Sequence, residues 1–222
     1  AVAILLLWLI FAGSHIGLSS RRMRPKLVAA LGENGFLTVY SAFSLLVFGS
    51  LVTVYAGSRH GGPLLWSVTP SGLLLWILYG AMGVAFVLVV ASLATPSPSS
   101  MSTRFQATPR EPRGVHHITR HALFMGIGLF GLVHLVPNGH ATDVVFFAGF
   151  PVFAVLGSMH QDARKLADGV PGYREFCDLT PLIPFMGGQT LRGLRELSPV
   201  VVGLGIVLTI LVRMFHGSLF GV

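Results

Sequence analysis

The chain has 222 residues, of which 53% are hydrophobic and only 10% charged, and its formal net charge is +7. A soluble domain carries about 25% charged residues and could not hide this much apolar surface in one core, so the expected solvent is a lipid bilayer. Long unbroken apolar runs exclude a membrane β-barrel, whose strands alternate in character, and the single cysteine, Cys177, excludes an intrachain disulfide.

A helix needs about 20 apolar residues to cross roughly 30 Å of hydrocarbon. The first qualifying segment, Ala1 to Leu18, reads as a retained helix: no small-x-small cleavage site precedes the charges, and its basic cluster follows the apolar run. Phe36 to Ala56 and Ser71 to Leu93 follow. The stretch 94–114 is rich in Pro, Ser and Thr and reads as a flexible cytoplasmic connector. Arg120 to Val136 and Thr142 to His160 are the next two spans. The segment 161–198 mixes Tyr173, Phe176, Leu179, Leu182, Ile183 and Phe185 with charges and prolines, which predicts a segment packed on the cytoplasmic membrane surface as a partial lid. Pro199 to Phe220 completes the set. The expected fold is all-α: a single integral-membrane domain over 1–222, a bundle of about six transmembrane helices without internal repeat.

The positive charge is a matter of topology. All basic residues except Arg59 and Arg213 lie in alternate loops: Arg21 to Lys26, Arg104 to Arg120, and Arg164 to Arg195. The positive-inside rule places those loops in the cytoplasm and both termini on the other side, which in a bacterium means an inner-membrane protein with periplasmic ends. Nucleic-acid binding is not needed to explain the charge.

Chemistry is concentrated in nine histidines. No Ser-His-Asp spacing, phosphate-binding glycine loop or pair of carboxylates within a span appears. His60, His140 and His216 read as surface residues, and His116 and His117 as headgroup contacts. His15, His121, His134 and His160 lie on apolar segments, where an ionisable ring is costly unless paired or ligating. Zinc wants three or four donors in a tight tetrahedron. Two histidines on facing helices beside glycines (Gly13, Gly17, Gly128, Gly131) suit a haem better. Depth along the helices levels His15 with His121 and His160 at the cytoplasmic side and makes His15 with His121, or with His160, the expected iron ligands, with Arg120, Asp162 and Arg164 in support; His134 with His60 on the outer side is also allowed.

Three stretches carry a resemblance. Gly13-Ser14-His15-Ile16-Gly17-Leu18-Ser19 is followed by Leu31-Gly32-Glu33 and Tyr40-Ser41. Ile118-Thr119-Arg120-His121 runs on through Gly126 to His134 and Asn138-Gly139. Asp162-Ala163-Arg164-Lys165-Leu166 is joined by Gly172-Tyr173 and Pro181-Leu182-Ile183-Pro184-Phe185. Together they resemble the NnrU family, which includes the plant-type 15-cis-zeta-carotene isomerases. The resemblance implies a polytopic membrane protein, a haem b cofactor, and a role in denitrification or other nitrogen-oxide or redox metabolism. Its alternatives are a haem-dependent carotene isomerase and a non-enzymatic accessory subunit of a respiratory complex. The implied partners are the bilayer, haem and other membrane redox proteins. By motif position the resemblance makes His15 and His134 the axial ligands, the alternative to His15 with His121. Ala122 stands where the family has a proline, Gly131 where the plant branch has a cysteine, and Phe153 where that branch has a histidine. The second and third stretches also resemble, more distantly, the membrane methyltransferases of isoprenylcysteine type.

The topology is directly testable. Reporter fusions after Arg24, Arg110 and Arg174 are expected to report cytoplasm, and a signal from the opposite side at any two of them overturns the orientation.

Overall fold

The structure, a computed structural model, describes residues 1–98 and 111–220; the middle of the expected 94–114 connector therefore lies outside the described residues. Helix makes up 74% of the chain, with no strand among the described residues. The elements are α1 (Val2–Leu18), α2 (Arg24–Ala56), α3 (Gly72–Ala94), a 3-10 turn (Gly114–His117), α4 (Ala122–Leu135), α5 (Ala141–Ala167), α6 (Tyr173–Leu179), α7 (Thr190–Glu196) and α8 (Pro199–Phe220).

Four helices, α2, α3, α5 and α8, are long and apolar enough to cross a bilayer, and α1 and α4 are shorter apolar helices. α4 has 14 residues, about 21 Å at 1.5 Å per residue, well short of a full span. It is held between α3 and α5. α8 also packs on α3, and α1 lies against α2 and α5. Leu45, Leu46, Leu73, Trp76 and Val200 are 67–76% exposed, a pattern that water would penalise and lipid does not. The chain is a polytopic helical membrane protein.

Three boundaries differ from expectation, each for a local reason. The second span extends back to Arg24, well before Phe36, because Pro25 suits the first turn and Gly32 absorbs a kink at φ 70°, ψ 167°, a conformation open to glycine. The kink folds Arg24 back so that its guanidinium meets Glu33 at 2.5 Å and lies 5.6 Å from the centre of the Phe36 ring. The fourth helix begins at Ala122, not Arg120. The backbone ahead of it is bonded elsewhere: Arg120 N donates to Pro181 O at 3.0 Å, and Ile118 O accepts from Phe185 N at 3.1 Å. The fifth helix runs past His160 to Ala167, so the first part of the expected 161–198 surface segment is a continuation of α5. Beyond it the chain turns, and α6 ends at Leu179, with Thr180 extended ahead of Pro181 as the residue before proline prefers.

The backbones of α4 and α5 approach closely. Pro151 lies inside α5 and has no N–H, so the carbonyl of Phe147, four residues back, loses its helical partner. Gly131 of α4 sits against that carbonyl: a Cβ there would come within 2.5 Å of Phe147 O and 2.8 Å of both Phe150 Cβ and Pro151 Cδ. The small residue lets one backbone close over the polar group freed in the other, as membrane interiors require. Below this contact is an aromatic core of Ile4, Trp8, Leu51, Phe146, Phe147 and Phe150, with Trp8 Nε1 donating to Phe146 O at 3.1 Å.

Gly131→Ala is expected to lower stability by roughly 1–3 kcal/mol through overpacking. Gly13→Ala, whose Cβ would meet nothing within 4 Å, is expected to be neutral or to gain up to about 1 kcal/mol from helix propensity. Thermal unfolding of the two variants in one detergent checks the contrast; equal melting temperatures would remove the close-packing argument.

Candidate functional site

Where α5 leaves the bundle, Asp162 is buried and its carboxylate gathers three side chains. His121 Nε2 lies 2.7 Å from Oδ1, the Tyr173 hydroxyl donates to Oδ1 at 2.6 Å, and Arg120 Nε donates to Oδ2 at 2.8 Å. Arg120 reaches further, donating from Nη1 to Thr180 O at 2.6 Å, and Thr119 Oγ1 donates to Leu182 O at 2.6 Å. Arg120 and His121 come from the stretch before α4 and Tyr173 from α6, so one carboxylate ties the start of α4, the end of α5 and the lid. Tyr173 and Phe176 are fully buried under it. The lid therefore closes over α4 and α5. Near α1 the link is Arg21 Nε donating to Asp168 Oδ1 at 3.1 Å, and it is solvent-exposed, so it adds little.

The other histidines fall in separate places. His160 Nε2 is 3.0 Å from Ser19 Oγ, and Ser19 also donates to His15 O, so His15 and His160 meet only through that hydroxyl. The His15 ring packs against Phe11, Tyr40 and Phe153, with Nδ1 3.4 Å from Ser44 Oγ. Gly13 and Gly17 are each two residues from His15, about 200° around the helix, so their open side is turned away from its ring. His134 Nδ1 donates to Phe130 O at 2.9 Å, and its ring lies 5.0 Å from Phe147 and 6.3 Å from His216 of α8. Measured along α5, the Phe147 rung of His134 and the Phe153 rung of His15 are about 9 Å apart, and the Asp162 rung of His121 is a further 13–14 Å on. The structure does not bring His15 and His121 together: Phe153 and Phe124 stand between them.

His116 and His117, expected as headgroup contacts, are 3% and 2% exposed and covered by protein. Burial pushes the His116 imidazole down to about 4, so it is neutral at physiological pH. His117 sits 3.6 Å from Glu196, whose carboxylate is held below its ordinary range first by the Gly114 N–H at 2.7 Å and next by Arg192. Arg164 takes no part in the Asp162 cluster, and its buried Nε has no hydrogen-bond partner among the described residues. At the opposite end, His60 and Asp143 form a pair that the sequence reading passed over, although Asp143 is an acid placed at the start of an apolar run.

Haem can be tested against these donors. An iron-bound imidazole uses one nitrogen while the other is usually tied to a carbonyl or carboxylate. His121 has Nε2 committed to Asp162 inside a sealed cluster. His134 has Nδ1 tied to a carbonyl, which leaves Nε2. Two imidazoles on one metal, with bonds of roughly 2.0–2.1 Å, place their ring centres within about 6.4 Å, and His134 and His216 are 6.3 Å apart. These two fit by donor type and spacing. His15 and His134 do not share such a gap, because the rings of Phe130, Phe150, Trp8 and Phe153 fill the interval.

A bundle of long apolar helices, a carboxylate-locked lid and histidines distributed through an aromatic interior define the class: a polytopic membrane protein. The family model described as NnrU protein matches residues 3–222, and the chain belongs to the NnrU family. It is 27% identical over 194 residues to the chloroplastic 15-cis-zeta-carotene isomerase of Arabidopsis thaliana, covering 83% of this chain and 49% of that protein. With the Zea mays protein of the same name the identity is 23% over 190 residues, covering 83% of this chain and 50% of that one. The chain thus spans about half the length of the curated relatives it matches. No solved structure matches it.

Asp162→Ala leaves the Arg120 guanidinium buried without its partner and is expected to cost about 3–5 kcal/mol. Tyr173→Phe removes one of several donors and is expected to cost about 1 kcal/mol. Trypsin cleavage after exposed Arg174 is the readout, fast in the first variant and near wild type in the second; equal rates in both would mean that the carboxylate does not hold the lid.

Proposed function

We propose that this NnrU-family chain is a haem b membrane protein that acts on the double bonds of an apolar, bilayer-dissolved polyene. The observation that carries the haem assignment is the pair His134 and His216, 6.3 Å apart on α4 and α8. His134 Nδ1 is anchored on Phe130 O, and that anchor orients Nε2 as the ligating nitrogen. Phe130 and Phe147 flank the ring at 4.2 and 5.0 Å, so whatever approaches it meets aromatic carbon and excluded water. When bound, haem would supply a redox-active iron held by these two imidazoles. The polyene assignment rests on the isomerases to which the chain is similar over 83% of its length.

Two measurements test this. The purified protein is expected to show a Soret band with low-spin character. His134→Ala should abolish that character and His216→Ala should convert it to high spin, whereas Ala at His121 should leave the iron spectrum unchanged if the protein folds. Absence of a Soret band overturns haem; loss of the low-spin spectrum in His15→Ala but not in His216→Ala transfers the ligand set to the motif positions and overturns the pair. In cells that accumulate 15-cis-zeta-carotene, expression of the chain is expected to lower the cis fraction. An unchanged isomer ratio in cells whose protein carries haem overturns the polyene assignment, in favour of nitrogen-oxide or other redox metabolism or an accessory role.

A further inference from the structure

At the end of the bundle away from Asp162, the loop after α2 meets the start of α5. We propose that His60 and His140 there form a binding site for a divalent transition-metal ion of the borderline class, such as Zn2+ or Cu2+, with Asp143 as the carboxylate that orients His60. The site is independent of the haem assignment.

Asp143 is 0% exposed and receives two donors from one residue: His60 N to Oδ1 at 3.1 Å and His60 Nδ1 to Oδ2 at 2.9 Å. A carboxylate can only accept from Nδ1, which fixes the neutral tautomer with its lone pair on Nε2. His60 itself is 52% exposed, so Nε2 is on the open side. His140 repeats the arrangement more loosely, with Nδ1 3.4 Å from Gly62 O. Carboxylate or carbonyl on one nitrogen and metal on the other is the recurring form of a metal-bound histidine. The two ring centres are 5.9 Å apart, inside the range of about 5–6.4 Å that two imidazoles on one ion occupy with metal–nitrogen bonds of roughly 2.0–2.1 Å.

The backbone also points to a built site. His60 adopts φ 54°, a left-handed conformation that a non-glycine residue holds only when its surroundings compel it. The compulsion comes from Asp143 gripping both its N–H and its ring. The loop is fastened further by Thr142, whose N and Oγ1 both donate to Gly61 O, at 3.2 and 2.8 Å, and by Ala141 N donating to Pro63 O at 3.0 Å. These bonds hold both histidines in register whether or not an ion is present. No group of three His, Cys, Asp or Glu side chains stands close enough for a complete protein ligand set among the described residues, so water fills the remaining positions.

The test uses the full chain without an oligohistidine tag, in detergent, stripped with chelator, and titrated with Zn2+ alone by calorimetry. One ion per chain is expected, at least tenfold weaker in His60→Ala and in His140→Ala, and about 10–100-fold weaker in Asp143→Asn. Helical circular dichroism and the melting temperature establish that each variant is folded. His140→Ala removes only a long hydrogen bond and keeps the test decisive if Asp143→Asn unfolds. Electron paramagnetic resonance with Cu2+ should show two nitrogen donors in the wild type and one in either alanine variant. No Zn2+ uptake by the wild type, affinity unchanged in folded His60→Ala or His140→Ala, or uptake lost instead in His216→Ala, each overturns the proposal.

Discussion

A carboxylate at the edge of hydrocarbon has to be paired and hydrogen-bonded, or it takes up a proton and loses its charge. Asp162 meets that demand by accepting from His121, Tyr173 and Arg120 at once, and much of the architecture follows from supplying those three donors at one point. Arg120 and His121 cannot be part of a helix and also turn their side chains and backbone towards the lid, so α4 starts late and short. Tyr173 must arrive from beyond α5, so the chain has to turn back immediately after Ala167. The prolines at 171, 181 and 184 keep that return from becoming one long helix. The short α4, the buried segment before it and the closed lid are three consequences of one buried charge.

The same cluster bears on which histidines remain open to a ligand. His121 is spent on Asp162. His15 is walled by phenylalanines and a tyrosine, and His160 is engaged by Ser19. The glycines flanking these histidines in sequence do not make slots for a flat ring. Gly128 and Gly131 face Ala154, Pro151 and Phe147 across the α4–α5 contact, where they serve backbone approach. His134 differs because α4 is short: its last turn ends beside α8, where another imidazole stands opposite.

Much of this could be read from the residues. The apolar runs locate the bundle helices, since their period and length are set by the hydrocarbon thickness and hardly by tertiary detail. Arg120, His121 and Asp162 were each legible as candidate site residues, because charges beside an apolar run need partners, but the sequence paired His121 with His15 and Asp162 with Arg164. What could not be read was the use of backbone groups. The late start of α4 depends on Pro181 O and Phe185 N, some 60 residues away, and no local pattern announces such a bond. The kink at Gly32 depends on a positive φ that glycine permits but does not demand. Burial of His116 and His117 was missed because paired histidines next to arginines look like a headgroup contact; the structure covers them with α7, whose glycine at 193 would place a Cβ within 2.9 Å of His117 Cβ. His216 looked peripheral because a residue near the end of the last apolar run has no sequence neighbour to signal a partner on α4.

The two ends of the bundle use the same elementary pair, an imidazole on a buried aspartate, for different purposes, and exposure decides between them. At Asp162 the imidazole is 2% exposed and the carboxylate is shared with an arginine and a tyrosine, so every lone pair faces protein and the pair acts as a clamp. At Asp143 the carboxylate is equally buried, but the imidazole is half outside. There the aspartate still fixes tautomer and orientation, while the far nitrogen is left to the medium. A clamp and a ligand site thus differ in one variable, the side of the imidazole that solvent can reach. α5, carrying one aspartate near each of its ends, sets both.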